Sequence, residues 1–273
     1  MLFFASRRRR IALLAGLAML ALASGVGAAA TATTRAAKPR LDWRPHFAFA
    51  DRYIGQRAGQ ISYGVVTPNG FYHGLRGGRS VAMASTFKVM LLATYLRKAR
   101  HRHLQHSDRR LLAPMIRRSD NVAATRVRDI VGRRAIEHLA HDAHMRHFRY
   151  NQVWGLSRTS ASDQAHFMYH FERYVPRRHQ QYARHLLATI VPSQRWGIGR
   201  VPLHGWRLHF KGGWGSGTGA VDHQVAFLDK RGFRVAVAIM TTSDPSHAYG
   251  KQTLKGVARR LLWGLPRLRH HHR

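Results

Sequence analysis

The sequence predicts an α/β (α+β) protein in which an antiparallel sheet flanked by helices joins an all-helical half. Three observations carry that expectation. Strand-like stretches stand at both ends of the chain, a long helical and heavily charged block separates them, and an amphipathic helix brackets the whole on each side. Strands so far apart in sequence must meet in one sheet, with the terminal helices on one face and the helical block on the other.

The elements follow in order. Trp43 to Ala58 carries apolar residues at Trp43, Phe47, Ala50 and Ile54, the spacing of a first helix. Ile61 to Thr67 alternates as a strand does, Pro68-Asn69-Gly70 supplies turn chemistry, and Phe71-Tyr72-His73 returns as the second arm of a hairpin. Val81 to Leu96 is apolar on nearly all sides and predicts a buried helix. Leu111 to Met115, Val122 to Val131 and Ala135 to Leu139 show the helical period, and Ser162 to Tyr174 a further helix, after the irregular stretch His147 to Thr159. From Trp206 the pattern turns to strands at Leu208–Lys211, Val225–Leu228 and Phe233–Thr241, with Asp229-Lys230-Arg231-Gly232 as a hairpin turn. Ser246 to Trp263 closes as an amphipathic helix. No internal repeat is visible.

The ends are read separately. Within residues 1–30, Arg7 to Arg10 form a positive block, Ile11 to Leu22 an apolar run, and Ala28 to Ala30 a small-residue cleavage region, the layout of an export signal. An uncleaved membrane anchor over residues 11–30 is the competing interpretation. Residues 31–42 read as a linker, 43–265 as the domain and 266–273 as a basic tail. The expected location is extracytoplasmic: secreted, periplasmic or associated with the cell wall.

Composition narrows the chemistry. The 273 residues suffice for one substantial core. The absence of cysteine excludes disulfides, thiolate metal sites, a cysteine nucleophile and a lipoprotein anchor. Lys and Arg number 46 against 12 Asp and Glu, a formal charge of +34. Such a surface attracts polyanions, and outside a cell those are anionic envelope polymers rather than a specific nucleic acid. Drift toward arginine in a GC-rich genome, with no dedicated partner, explains the same excess. His138, His141, His144 and His147 recur every three residues with Asp142 among them, a stripe that fits a solvated basic helix face better than a metal site, since no H-E-x-x-H motif is present. Trp196, Trp206 and Trp214 fit either a substrate cleft or the core.

The chemistry concentrates in three short motifs. Ser85-Thr86-Phe87-Lys88 opens the buried helix, and its spacing puts Ser85 and Lys88 one turn apart on one face. A lysine in a poorly hydrated site loses its proton readily and can serve a neighbouring hydroxyl as base. Ser119-Asp120-Asn121 stands between two helical segments, where a plain helix N-cap is its simplest role. Lys211-Gly212-Gly213 ends a strand. In this order, on helix, loop and strand, the trio resembles the signature of the penicillin-recognising serine enzymes, and most closely the class A β-lactamases, along most of the chain after the signal.

The resemblance implies a serine hydrolase acting through an acyl-enzyme on β-lactams or D-Ala-D-Ala-type cell-wall peptides, either a β-lactamase or a D-alanyl-D-alanine peptidase in type. It implies Ser85 as nucleophile, Lys88 as its base, Ser119 as proton donor to the leaving nitrogen and Lys211 as a charge near the substrate carboxylate. Asn121 would hold the substrate's side-chain amide, and the backbone N–H groups of Ser85 and Trp214 would form the oxyanion hole. Gly212, Gly213 and Ser216 complete the substrate-binding set. No cofactor or metal is implied, and the expected state is a monomer.

Three departures from the family stand out. Ser119 follows Ser85 by only 34 residues, so loops are trimmed. The loop glutamate that activates the deacylating water in class A enzymes has no counterpart: Glu137 comes too early and Glu172 too late. Gly212 stands where a hydroxyl residue is usual, with Ser216 or Thr218 as replacements, and Asp222-His223 where many class A enzymes carry a carboxylate-binding arginine. Slow deacylation is the expected consequence. The competing function is a non-catalytic cationic cell-wall-binding module on the same fold, which would have no reason to keep Ser85, Lys88, Ser119 and Lys211 together.

Overall fold

The computed structural model describes residues 41–266, so the signal-like segment 1–30 and most of the Arg-His tail lie outside the described residues. The expected architecture is present. In chain order the elements are α1 (Phe47–Ile54), β1 (Gln60–Val66), β2 (Tyr72–Leu75), β3 (Val81–Ala82) and α2 (Phe87–Lys98). There follow α3 (His106–Arg117), α4 (Asn121–Val131), α5 (Arg133–Asp142), β4 (Arg158–Thr159), α6 (Ala161–Tyr169) and α7 (Arg177–Ala188). Strands β5 (Arg207–Gly215), β6 (Val221–Lys230) and β7 (Phe233–Thr242) then lead into α8 (His247–Leu261).

Five strands form one antiparallel sheet in the order β2-β1-β7-β6-β5. The β6–β7 hairpin closes on Arg231 and Gly232, both left-handed at φ 49° and 79°, the twist that a two-residue turn between right-twisted strands requires. The three central strands are buried along most of their length rather than on alternate residues, because both faces are covered. The terminal helices α1 and α8 pack together, with α8 against β6 and β7, while α6 lies across β1, β6 and β7. Tyr63 on β1 donates its hydroxyl to Asp51 of α1 at 2.8 Å, whereas the next residue, Gly64, faces α6.

The helical half is organised around α2, whose residues Phe87 to Leu96 are all buried. That explains its nearly uniform apolar sequence. The predicted helix start at Val81 is displaced. Val81 and Ala82 pair as a strand with Thr159 and Arg158, and a single 3-10 turn, Ala84–Thr86, then leads into α2. A distant partner overrides local helical preference there. The helix expected over Ser162 to Tyr174 divides into α6 and a 3-10 turn at Phe171–Tyr174. Helix α7, not anticipated from the sequence, buries only His179, Ala183, Leu186 and Leu187 among otherwise polar residues.

Gly64 marks the tightest contact between sheet and α6. A Cβ there would lie 2.7 Å from the carbonyl oxygen of Ala161. Gly64→Ala is expected to destabilise the fold by about 1–3 kcal/mol through overpacking. The check is a lower urea midpoint at unchanged slope.

Candidate active site

The edge strand β5 and the turn before α2 meet at the centre of the molecule. The turn is pinned from several sides. Met83 N donates to Ser157 O at 2.8 Å, Thr86 Oγ1 donates to Met83 O at 2.7 Å, and His223 Nε2 donates to Ala82 O at 2.9 Å. His223 also accepts from Thr241 N through Nδ1, and complete burial pushes its pKa down to about 4, so the ring is neutral with the proton on Nε2. Ala84 adopts φ 46°, a strained conformation for a residue with a side chain, directly before Ser85. Gly213 lies against this turn so closely that a Cβ would stand 2.9 Å from Ser85 N and 2.8 Å from Thr86 N. Glycine is therefore required at 213, and the backbone of β5 runs beside the amide of Ser85.

Ser119, Lys88 and Lys211 come together from three elements. Ser119 precedes α4 in a left-handed conformation at φ 58°, while Asp120 performs the cap, accepting from Ala123 N at 2.8 Å. The N-cap role of the triplet thus falls to its middle residue alone. Lys88 Nζ donates to Ser119 Oγ at 3.1 Å, to Ser119 O at 2.5 Å and to Asn121 Oδ1 at 2.7 Å. Lys211 Nζ donates to the same Ser119 Oγ at 2.9 Å and to Gly212 O at 2.7 Å. Both lysines are fully buried. Burial pushes Lys88 down from 10.5 to about 7, with Asp120 acting weakly in the opposite sense. Lys211 is pushed down well below its usual value by burial and, secondarily, by Lys88. Two ammonium groups around one hydroxyl in a dry site repel each other, so at neutral pH the two amines do not both keep their protons.

Of the other predicted residues, Ser85 is buried in the turn. Asn121 engages Lys88 through Oδ1. Trp214 is half-buried at the end of β5. Ser216 opens the 3-10 turn Ser216–Thr218, and its side chain lies outside the described structure. Thr218 donates to Gly215 O at 2.9 Å. At Gly212 the space of a side chain is filled by Trp196, whose ring would stand 3.0 Å from a Cβ. Trp196 therefore packs on β5 at Gly212 with Trp214 edge-on against it, whereas Trp206 donates to Pro266 O and packs in the core.

Neither glutamate reaches the site. Glu137 pairs with Arg133 on the exposed face of α5, and Glu172 is held by Arg184 and Arg234. Instead Trp154, from the turn Trp154–Leu156, lies with its ring 5.0 Å from Lys88 Nζ and donates to Thr125 Oγ1. That aromatic wall was not foreseen, because its stretch of sequence has no period to read. The histidine stripe divides: His138 and His141 are exposed beside Asp142, while His147 turns inward to Ser160 and Asp163. Among the described residues no group of His, Asp or Glu is arranged to hold a metal ion.

Lys88 offers a direct measurement. Its ζ-amine is expected to titrate near pH 7, read from the Cε resonance of labelled lysine. Because the unfolded chain keeps that proton up to 10.5, stability should also rise with pH between about 7 and 10.5, and Lys88→Met should flatten that rise. A lysine still fully protonated at the upper end of that window would overturn the assignment.

Solved structures of similar fold include a beta-lactamase from Sphaerobacter thermophilus, 21% identical with a TM-score of 0.69, covering 81% of this chain and 97% of that one. A class A beta-lactamase from Mycobacterium abscessus is 17% identical with a TM-score of 0.67, covering 78% of this chain and 96% of that one. The chromosome-encoded beta-lactamase of Vibrio parahaemolyticus is 16% identical with a TM-score of 0.68, covering 78% and 95%. No curated protein matches. The sequence pattern of the beta-lactamase enzyme family matches residues 102–264, more than half of the chain, and the protein belongs to that family.

Proposed function

We propose that the protein is an exported serine hydrolase that forms an acyl-enzyme on Ser85 with β-lactams or D-Ala-D-Ala-type peptides. The observation that carries this is the pair of buried lysines sharing the Ser119 hydroxyl beside the turn that bears Ser85. Lys88, pushed down to about 7, is available as a neutral amine to take the Ser85 proton as Oγ attacks the substrate carbonyl. The backbone N–H groups of Ser85 and Trp214 stabilise the developing oxyanion. As the carbon–nitrogen bond breaks, Ser119 gives its proton to the leaving nitrogen and is itself reprotonated from Lys88. Lys211 polarises Ser119 from the other side, and the Nδ2 group of Asn121 binds the substrate's amide oxygen. Gly213 lets the substrate-bearing strand approach Ser85, while Gly212, filled over by Trp196, offers no hydroxyl to the substrate carboxylate.

Deacylation is slow in this scheme. Both glutamates are committed to arginines elsewhere, and Trp154 stands beside Lys88. Export rests on the signal-like residues 1–30, and among the described residues no helix is long and apolar enough to cross a membrane. Anionic envelope polymers are the partners proposed for the basic surface, and the working unit is a monomer.

The test is intact-mass analysis of the chain lacking residues 1–30 during incubation with benzylpenicillin. Wild type should gain a long-lived penicilloyl adduct and Ser85→Ala none. Lys88→Met should slow acylation by about 10²–10⁴-fold, and the wild-type rate should rise with pH through about 7. A folded wild type that never acquires the adduct would remove β-lactams as substrates and favour the cationic wall-binding module.

A further inference from the structure

On the face of the sheet opposite the Ser85 turn, a recess of about 340 Å³ opens between the end of β5 and the start of α8. Trp214, Gly215, Asp222, Asp244 and His247 line it. Its chemistry is unlike that of the rest of the molecule. In a chain with 46 basic and 12 acidic residues, two carboxyl groups stand next to each other here.

The two acids are deeply buried, Asp222 at 2% and Asp244 at 7% exposure. Asp222 Oδ1 shares a 2.6 Å hydrogen bond with His247 Nδ1. Its other oxygen lies where Gly250 of α8 has no side chain: a Cβ there would stand 2.1 Å away. Asp244 accepts from Thr241 Oγ1 through Oδ2, but its Oδ1 is buried without any partner. A buried acceptor left unsatisfied is unfavourable, so such an atom points to a missing donor. Burial, reinforced by Asp244, pushes Asp222 up to about 8, which Lys251 opposes only weakly. The same burial raises Asp244, opposed by the Thr241 hydroxyl, by the backbone N–H of Asp222 and least by Arg57. The recess is thus a pair of acids short of positive charge in a strongly basic protein.

Its aromatic wall completes the picture. Trp214 stacks on His247 with ring centroids 5.7 Å apart, and Trp196 packs edge-on against both. An indole beside desolvated carboxyl groups is an environment that favours an organic cation over a neutral group.

The recess lies against the same edge strand, β5, that runs beside the Ser85 turn. Trp214 pairs with Asp222 across β5 and β6, so their side chains share one face, while Gly213 and its partner His223 share the other, against the Ser85 turn. Since β5 is the edge strand, a substrate laid along it reaches both faces at once. Its carbonyl would meet the amides of Ser85 and Trp214, and a substituent would extend over Gly215 into the recess.

We propose that this recess is a subsite for a primary ammonium group on the substrate, held by Asp222 and Asp244 with Trp214 as its aromatic wall. The proposal rests on the assignment of Ser85 as nucleophile only for its place in the cleft, and not for the binding itself.

The experiment separates the two. Ser85→Ala protein lacking residues 1–30, which cannot be acylated at that position, is titrated by calorimetry with benzylamine and with benzyl alcohol, its neutral isostere. Benzylamine should bind at least about tenfold more tightly, despite the protein's positive charge. Asp222→Asn, which keeps the shape but not the ionisable carboxyl, should abolish that preference, and Asp244→Asn, read beside thermal melts, guards against a variant that merely fails to fold. Equal affinity for the two compounds, or a preference that survives in both folded Asn variants, overturns the subsite. In wild type, benzylamine should slow formation of the penicilloyl adduct. Binding that leaves acylation unaffected removes the recess from the substrate cleft. A protein that binds benzylamine through Asp222 but never forms the adduct keeps the recess and loses the β-lactam assignment.

Discussion

The hydroxyl of Ser119 is the joint on which the two halves of the molecule depend. It receives Lys88 from the central helix α2 and Lys211 from the edge strand β5, while its own position is fixed by the cap at the start of α4. Each of these elements belongs to a different part of the chain, and the three polar groups meet where water is excluded. Burial of two amines in such a place is unfavourable unless they lose charge, and their low proton affinities are the result. The surrounding apolar mass, above all the fully buried stretch Phe87–Leu96, makes that arrangement tolerable. Left-handed Ala84 and Ser119 add strain on the order of 1 kcal/mol or more each. Strain and depressed basicity at one point are the usual marks of a site maintained against the fold's own preferences.

What could be read from sequence was what is local. The hairpin at Pro68-Asn69-Gly70, the uniformly apolar α2 and the period of α8 each encode their element within a few residues, and the three motifs carry their settings with them. What could not be read depends on distant contacts. Val81 and Ala82 look like the first turn of a helix but are held as a strand by Arg158 and Thr159, which lie more than seventy residues away. Helix α7 has a weak sequence signal because only four of its twelve residues are buried, one of them His179. Trp154 stands in an irregular stretch, and only folding brings its ring to Lys88. Likewise Asp222, Asp244 and His247 come from a strand, a loop and a helix start, and nothing in their spacing announces that they converge.

The scarcity of acids makes their placement informative. Asp108 ties Arg102 and Tyr95 together at the start of α3, and Asp163 anchors the backbone of Arg146 and His147. Glu172 and Asp229 form a cross-linked group with Arg184 and Arg234 under the sheet. Buried or half-buried pairs of this kind are costly to break, whereas exposed pairs such as Arg133–Glu137 contribute little. The excess of arginine is therefore mostly a surface property, and the acids named here are each matched by basic side chains or backbone N–H groups. The recess at Asp222 and Asp244 is the exception, because two acids there face one imidazole whose basicity is itself lowered by burial.

That exception bears on how the cleft discriminates. In the resemblance to class A enzymes, the arginine and hydroxyl next to Lys211 both serve a substrate carboxylate. Here Trp196 fills the hydroxyl's place, and Asp222 with His247 occupies the ground of the arginine. These changes are mutually consistent, since neither the indole nor the buried acid pair offers a substrate carboxylate a positive charge. The groups proposed for acylation, on the other face of β5, keep their contacts with Ser119. On the functions proposed above, selection between substrates belongs to one face of a single edge strand and bond breaking to the other, so a change in substrate preference need not disturb the Ser119 joint.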